Sequence, residues 1–353
     1  MQAELSVPDP AAPRKLSRWP LYIAFGIAFA VVVAWSAAWV WARGEVEKEL
    51  ADGARTIRDA GYELAWKEQK IGGYPFRLDV TLTEPRIRDR SGWALEAPRL
   101  EAEAFLHAPT HWIVAAPAGL TFVRPAGGPV TVEGKLIRAS LSHVQNTPPN
   151  FSFEGVDLTF RPAAGANPFG LSAAERIEFH LRESPRSLDE GGVWLSVKNG
   201  KAQLAGLLGR IAGDKPISIE WDGRLSKMSA FRGEDWRSAV RHWTEAGGRM
   251  SVKRAGLTAG DALIGANAGS LGVDSGGRVE GALDVSLRQA PRALGAMGTT
   301  GTIPKETADA AAAVAVARET GDLARMTLYF QAGRTTLGPV AIAKSPKVYE
   351  TGR

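Results

Sequence analysis

Cysteine is absent from all 353 residues. That excludes thiolate nucleophiles, thiolate metal sites and iron–sulfur clusters. A chain this long builds a core without disulfides, so the absence decides no compartment. Charge of one sign is also scarce: 43 Lys and Arg stand against 38 Asp and Glu, a net +5, and no basic run exceeds two residues. A nucleic-acid partner would need a clustered basic footprint, and none is present. The glycine-rich phosphate cradles and the G-x-S-x-G elbow are missing as well. Five histidines are scattered through the chain, none in a Ser/His/Asp context. His107 and His111 have the spacing of a helical metal pair, but Pro109 lies between them in a strand-and-turn context. They read as surface or edge histidines. The sequence therefore nominates no catalytic residue, cofactor or metal ligand, and the chain reads as not an enzyme.

One long apolar run is present. Leu21 to Ala42 (LYIAFGIAFAVVVAWSAAWVWA) carries no charge over 22 residues. As a helix it spans about 33 Å, against a hydrocarbon core of about 30 Å. Trp19 and Tyr22 lie at one end and Trp35, Trp39 and Trp41 toward the other, where amphipathic rings favour the headgroup level. Arg14, Lys15 and Arg18 precede the run, and the outgoing flank mixes both signs. The positive-inside rule then predicts residues 1–20 as a cytoplasmic tail, 21–42 as a single-pass inner-membrane anchor and the remainder as periplasmic. A signal peptide cleaved after Val40-Trp41-Ala42 is the alternative. It fits less well, because the run exceeds the usual signal core and tryptophans crowd the site.

Residues 43–61 are polar and helix-compatible, with Val46, Leu50, Ala54 and Ile57 on one stripe. This predicts a stalk helix. From Tyr62 the period becomes two: Phe76, Leu78, Val80 and Leu82 alternate with polar residues, as do Leu100 to Leu106, Phe151/Phe153, Ile177/Phe179/Leu181, Val193/Leu195/Val197 and Leu283/Val285/Leu287. Alternation with polar residues means one wet face, so the expected fold is mainly β: a large, curved, mostly antiparallel sheet over 62–353. Glu234–Ala246, Leu287–Met297 and Lys305–Glu319 are predicted as covering helices. The segment Val130–Leu136 echoes Val279–Leu283, an echo that two related halves, 62–230 and 231–353, would fit.

In Gly72-Gly73-Tyr74-Pro75-Phe76-Arg77-Leu78, two glycines relax the backbone, Pro75 restricts it and an alternating strand follows. This G-x-P-F-R segment, the closing Gly333–Val340 with Ser345-Pro346, and Gly269–Leu294 resemble the bacterial family called domain of unknown function 2125. The resemblance implies a membrane-anchored envelope protein of Gram-negative cells and carries no established activity or catalytic residues. The strand-rich texture is also similar to AsmA-like envelope proteins, which offer an apolar groove to lipid. Tyr74, Pro75, Phe76, Leu78, Val80 and Leu82 are the candidate structural or groove residues, with Gly73, Tyr74, Pro75 and Phe76 read first as a turn and core anchor. Two roles follow as expectations. The sheet binds a lipid or acyl chain for envelope maintenance, or it is a tethered, non-enzymatic scaffold for other envelope proteins.

Overall fold

A computed structural model describes residues 19–143, 149–184, 187–202, 215–233, 235–260, 262–288, 290–299, 304–321, 323–338 and 340–349. The expected tail, residues 1–18, lies outside them. The apolar run and the polar stalk form one uninterrupted helix, α1 (Trp19–Asp59). Nothing in the sequence between Ala42 and Glu45 breaks it, since Gly44 alone costs a helix about 1 kcal/mol. The predicted stripe is the packed one: Ala54 is buried and Val46, Leu50 and Ile57 are half-buried.

Everything else hangs on one antiparallel sheet. Its first part comprises β1 (Glu63–Ala65), β2 (Glu68–Gly72), β3 (Arg77–Thr83), β4 (Arg86–Arg88), β5 (Ala94–Glu96), β6 (Arg99–Phe105), β7 (Ala108–Ala115), β8 (Leu120–Arg124), β9 (Gly128–Glu133) and β10 (Leu136–Ser142). These pair as halves of longer strands: β2 with β3 and β1 with β4, β3 with β6 and β4 with β5, β6 with β7 and β5 with β8. The breaks line up across the sheet at Lys67, Glu84-Pro85, Ala97-Pro98, Ala116-Pro117 and Gly134-Lys135. Proline cannot donate to the ladder, so three of the breaks fall where the sequence removes an N–H. Backbone bonds nevertheless bridge the line, from Lys67 N to Thr83 O (2.9 Å), Glu84 N to Pro98 O (3.0 Å) and Lys135 N to Val156 O (2.9 Å). The strands are interrupted there, not ended.

The second part continues in order with β11 (Asn150–Pro162), β12 (Leu171–Ser184), β13 (Ser187–Ala202), β14 (Ile217–Ser226), β15 (Met250–Ala259), β16 (Ala262–Val273), β17 (Val279–Arg288), β18 (Glu319–Thr320), β19 (Leu323–Gln331), β20 (Arg334–Leu337) and β21 (Val340–Lys344). Apart from the short β18, each strand pairs with the next along the chain, from β11 to β21. The result is an up-and-down meander that stays open and uncurled, with the β1–β2 strand at one edge and β21 at the other. The pairing runs unbroken through residue 231, so the two expected halves share a single sheet.

Register gives this sheet two unlike faces. One cross-strand row reads Ile71, Val80, Ala102, Val114, Ala139, Phe153, Phe179, Leu195, Trp221, Ala255, Ala266, Val285, Met326. It is apolar in all thirteen strands. The neighbouring residue of each strand points the other way, and that row includes Lys70, Glu101, Arg138, Glu154, Glu178, Ser196, Glu220 and Arg325. Period-two patterning at each strand has thus been summed by register into one oily face and one wet face. At about 4.8 Å per strand spacing, the apolar row is about 58 Å long.

The three predicted helices are present as α2 (Trp236–Glu245), α3 (Ala290–Thr299) and α4 (Lys305–Ala317). Leu287, which the sequence reading put both at the end of a strand and at the start of a helix, belongs to β17, where it pairs with Ile264. Small residues let α3 and α4 approach the sheet closely: Ala290, Leu294, Ala311 and Ala315 form one buried cluster with Ala266, Leu283, Val285 and Met326. A second cluster gathers Val130, Val132, Ile137, Leu158 and Phe160 around the line of breaks. Asp235 caps α2 in a reciprocal capping box with Ser238, and Trp243 anchors it by donating to Ser226 O (2.6 Å).

Candidate functional site

The hairpin tip between β2 and β3 is built from Gly73, Tyr74, Pro75 and Phe76. Gly73 has φ +99°, and a Cβ there would stand 2.6 Å from the Arg77 carbonyl oxygen. Only glycine turns this tightly. Arg77 N closes the turn on Gly73 O (2.9 Å), and the Tyr74-Pro75 peptide is cis.

This tip is not packed in the sheet core. It lies against α1, 35 to 40 residues earlier in the chain. Trp35 Nε1 donates to Pro75 O (2.7 Å) and Trp39 Nε1 to Arg77 O (2.8 Å). Ser36 Oγ pairs with the Tyr74 hydroxyl (2.8 Å). Trp39 meets the Tyr74 ring edge-on at 5.5 Å, and Trp35 meets Phe76 at 6.3 Å. Trp39 is buried, 8% exposed. Two tryptophans four apart share a helix face, but that spacing does not say what the face meets.

The six sequence candidates therefore separate. Leu78 and Val80 are buried and Leu82 is half-buried, in keeping with core anchors. Tyr74 and Phe76 are 54% and 66% exposed, which corrects their reading as core anchors. Pro75 serves the turn and offers its carbonyl to Trp35. In the neighbouring β6–β7 turn, Phe105 to His107, the sequence singled out only His107, as a surface or edge histidine. Leu106 N donates to Phe76 O (3.1 Å), Phe105 is 50% exposed, and His107 stacks on Phe105 at 5.3 Å. No pattern in the sequence announces that two hairpin tips meet; the β3–β6 pairing does it by setting Arg77 opposite Phe105.

The apolar face is the other candidate surface. Phe179, Leu181, Val193 and Leu195, in its middle, are half-buried and join none of the core clusters among the described residues. Phe151 and Phe179 pair at 6.1 Å. Three hollows formed by described residues have mixed linings. One, of about 260 Å³, lies among His111, Arg138, Ser152, Glu178, His180 and Arg182 on the wet face. There Glu154 takes Arg138 (2.7 Å) and Arg176 (3.0 Å), so the charges are largely matched. The others, of about 550 and 750 Å³, flank β17 and β19, with Asp284 and Tyr329 in both linings. None of the three is an apolar acyl-chain cavity.

Among the described residues no group of three His, Asp or Glu side chains could hold a metal ion. His107 and His111 fall at the β6–β7 turn and in β7, where four residues of extended chain separate them by about 13 Å. Two carboxyls are held below the usual range: Asp189 by the Ser229 N–H, and Asp235 by the Ser238 N–H. Asp235 caps its own helix, whereas Asp189 accepts from a backbone N–H forty residues later in the chain.

Neither the curated proteins nor the solved structures contain a match to this chain. One family model does match, over residues 39–346, and its first matched residue is the tryptophan that holds the hairpin tip. With most of its length covered, the chain belongs to the family described as "Uncharacterized protein conserved in bacteria (DUF2125)".

Proposed function

We propose that this protein is a single-pass anchored protein of the bacterial envelope whose periplasmic sheet holds lipid or acyl chains against its apolar face, without catalysis, in envelope maintenance. The observation that carries the reading is the thirteen-strand apolar row. In a water-exposed domain an apolar strip of this length serves either a core or a ligand. Its β17–β19 end is core, under α3 and α4, while Phe179 and Leu195 in its middle join no cluster of the described residues. A sheet face with that lining suits a flexible chain more than a compact polar substrate.

Anchorage is supported by the apolar length of α1 and by its contacts. Trp35, Ser36 and Trp39 hydrogen-bond the hairpin tip, contacts that cleavage after Ala42 would discard. The basic flank Arg14, Lys15 and Arg18 supports a cytoplasmic tail and an inner-membrane location.

The test is photocrosslinking in cells from a benzoyl-phenylalanine placed at Phe179 or Leu195, with Glu178 and Glu220 as controls on the opposite face. Lipid adducts from the first pair alone are expected. Absence of adducts, or equal yield from both faces, refutes the reading. Protein adducts from Phe179 and Leu195 would instead favour the tethered scaffold.

A further inference from the structure

We infer that the tips of the β2–β3 and β6–β7 hairpins are embedded in the membrane leaflet through which α1 leaves the bilayer, so that the sheet stands on a phospholipid-immersed foot. The inference rests on α1 spanning the membrane and names what covers this end of the sheet.

The argument is one of depth. Trp39 and Trp35 lie three and seven residues inside the end of the apolar run at Ala42. At 1.5 Å per residue these are depths of about 4.5 and 10 Å. Direct hydrogen bonds of 2.8 and 2.7 Å tie Arg77 and Pro75 to those two residues. A loop bonded to a helix side chain shares its level, so once the run spans a bilayer the tip is inside its interface. This is the depth at which monotopic segments bury their apolar faces. The lengths agree: Trp35 to Asp59 is about 36 Å of helix, and Glu63 to Pro75 is about 40 Å of extended chain running back beside it.

The chemistry of the tip fits that solvent. Where water is absent, backbone groups must find partners within the protein. The carbonyls of Gly73, Pro75, Phe76 and Arg77 accept from Arg77 N, Trp35 Nε1, Leu106 N and Trp39 Nε1 respectively. Pro75 has no N–H to satisfy, and the Tyr74 hydroxyl has Ser36. The outward surface is aromatic, with Tyr74, Phe76 and Phe105 all at least half exposed. In water, three such rings side by side would be a liability; at the headgroup level they are favoured. The first charge behind them, Arg77, is paired with Glu103 (2.9 Å) and Asp79 (3.6 Å).

The absence of cysteine makes the test direct. Phe29→Cys, Phe76→Cys, Phe105→Cys and Ser91→Cys are made singly in the full chain, labelled with an environment-sensitive fluorophore and reconstituted in phosphatidylethanolamine–phosphatidylglycerol vesicles. Ser91 lies in the turn at the opposite end of the β3 side of the sheet. Labels at Phe76 and Phe105 are expected to lose fluorescence to doxyl-lipid quenchers and to resist aqueous iodide, while Ser91 does the reverse. If Phe29 is quenched by lipid but Phe76 and Phe105 respond only to iodide, the foot is wrong and the anchor stands. If Phe29 itself responds to iodide, the anchor fails and the foot with it.

Discussion

Trp39 is the residue through which α1 and the sheet are most tightly coupled, and its replacement has a calculable cost. Trp39→Phe keeps a ring near Tyr74 but removes the N–H that satisfies Arg77 O. A lost hydrogen bond that strands its partner costs about 1–3 kcal/mol. Trp39→Ala also removes the aromatic pairing and leaves a cavity, for which about 3–5 kcal/mol is usual for a buried aromatic. The readout is hydrogen exchange at two amides that close the tip, Arg77 N on Gly73 O and Leu106 N on Phe76 O. Each 1.4 kcal/mol is a factor of ten in a local opening equilibrium, so Trp39→Phe should speed both amides by roughly 5- to 140-fold. Trp39→Ala should bring them to the exchange rate of an open hairpin, with the amides of β15 and β16 unaffected. Unchanged exchange at Arg77 and Leu106 in Trp39→Ala would refute the coupling. Equal acceleration in β15 and β16 would show a global effect in place of a local one.

Gly73→Ala should destabilise the tip by more than about 1 kcal/mol, because φ +99° and a 2.6 Å approach to a carbonyl oxygen are both closed to a Cβ; the same two amides report it. Leu78→Ala, at a fully buried position, should lower global stability by about 2–5 kcal/mol in a urea titration of the detergent-solubilised chain. Ala311→Leu, also fully buried, should cost about 1–3 kcal/mol by forcing α4 off the sheet. Asp235→Ala should cost about 0.5–2 kcal/mol through loss of the capping box. The Asp235 pKa is lowered in the folded state by the Ser238 N–H, so its contribution is present above the unfolded carboxylate range and lost as pH falls through the folded value. The thermal midpoint of the wild type should therefore fall in acid more than that of Asp235→Asn, which keeps an uncharged cap; parallel curves would count against the assignment.

The sequence by itself determined the apolar helix, the strand-rich class, the wet and oily alternation and the places of the three covering helices. Each of these is written within a few neighbouring residues, as an uncharged run, a period of two or an alanine-rich stretch after Pro304. It also marked the G-Y-P-F-R turn, because glycine and proline constrain their own backbone. It did not say where that turn points. Phe76 reads as the first core residue of a strand, yet it faces outward, since α1 rather than the core supplies Tyr74 and Pro75 with partners. Only the tertiary structure decided that Trp35 and Trp39 meet a hairpin some forty residues later, that β3 sets Arg77 beside Phe105, and that thirteen separate alternations fall into one register as a continuous apolar row. Register is a relation between strands distant in sequence, and a shift of one residue would send each apolar side chain to the wet face. Alternation can be read from one segment; alignment is decided by pairing.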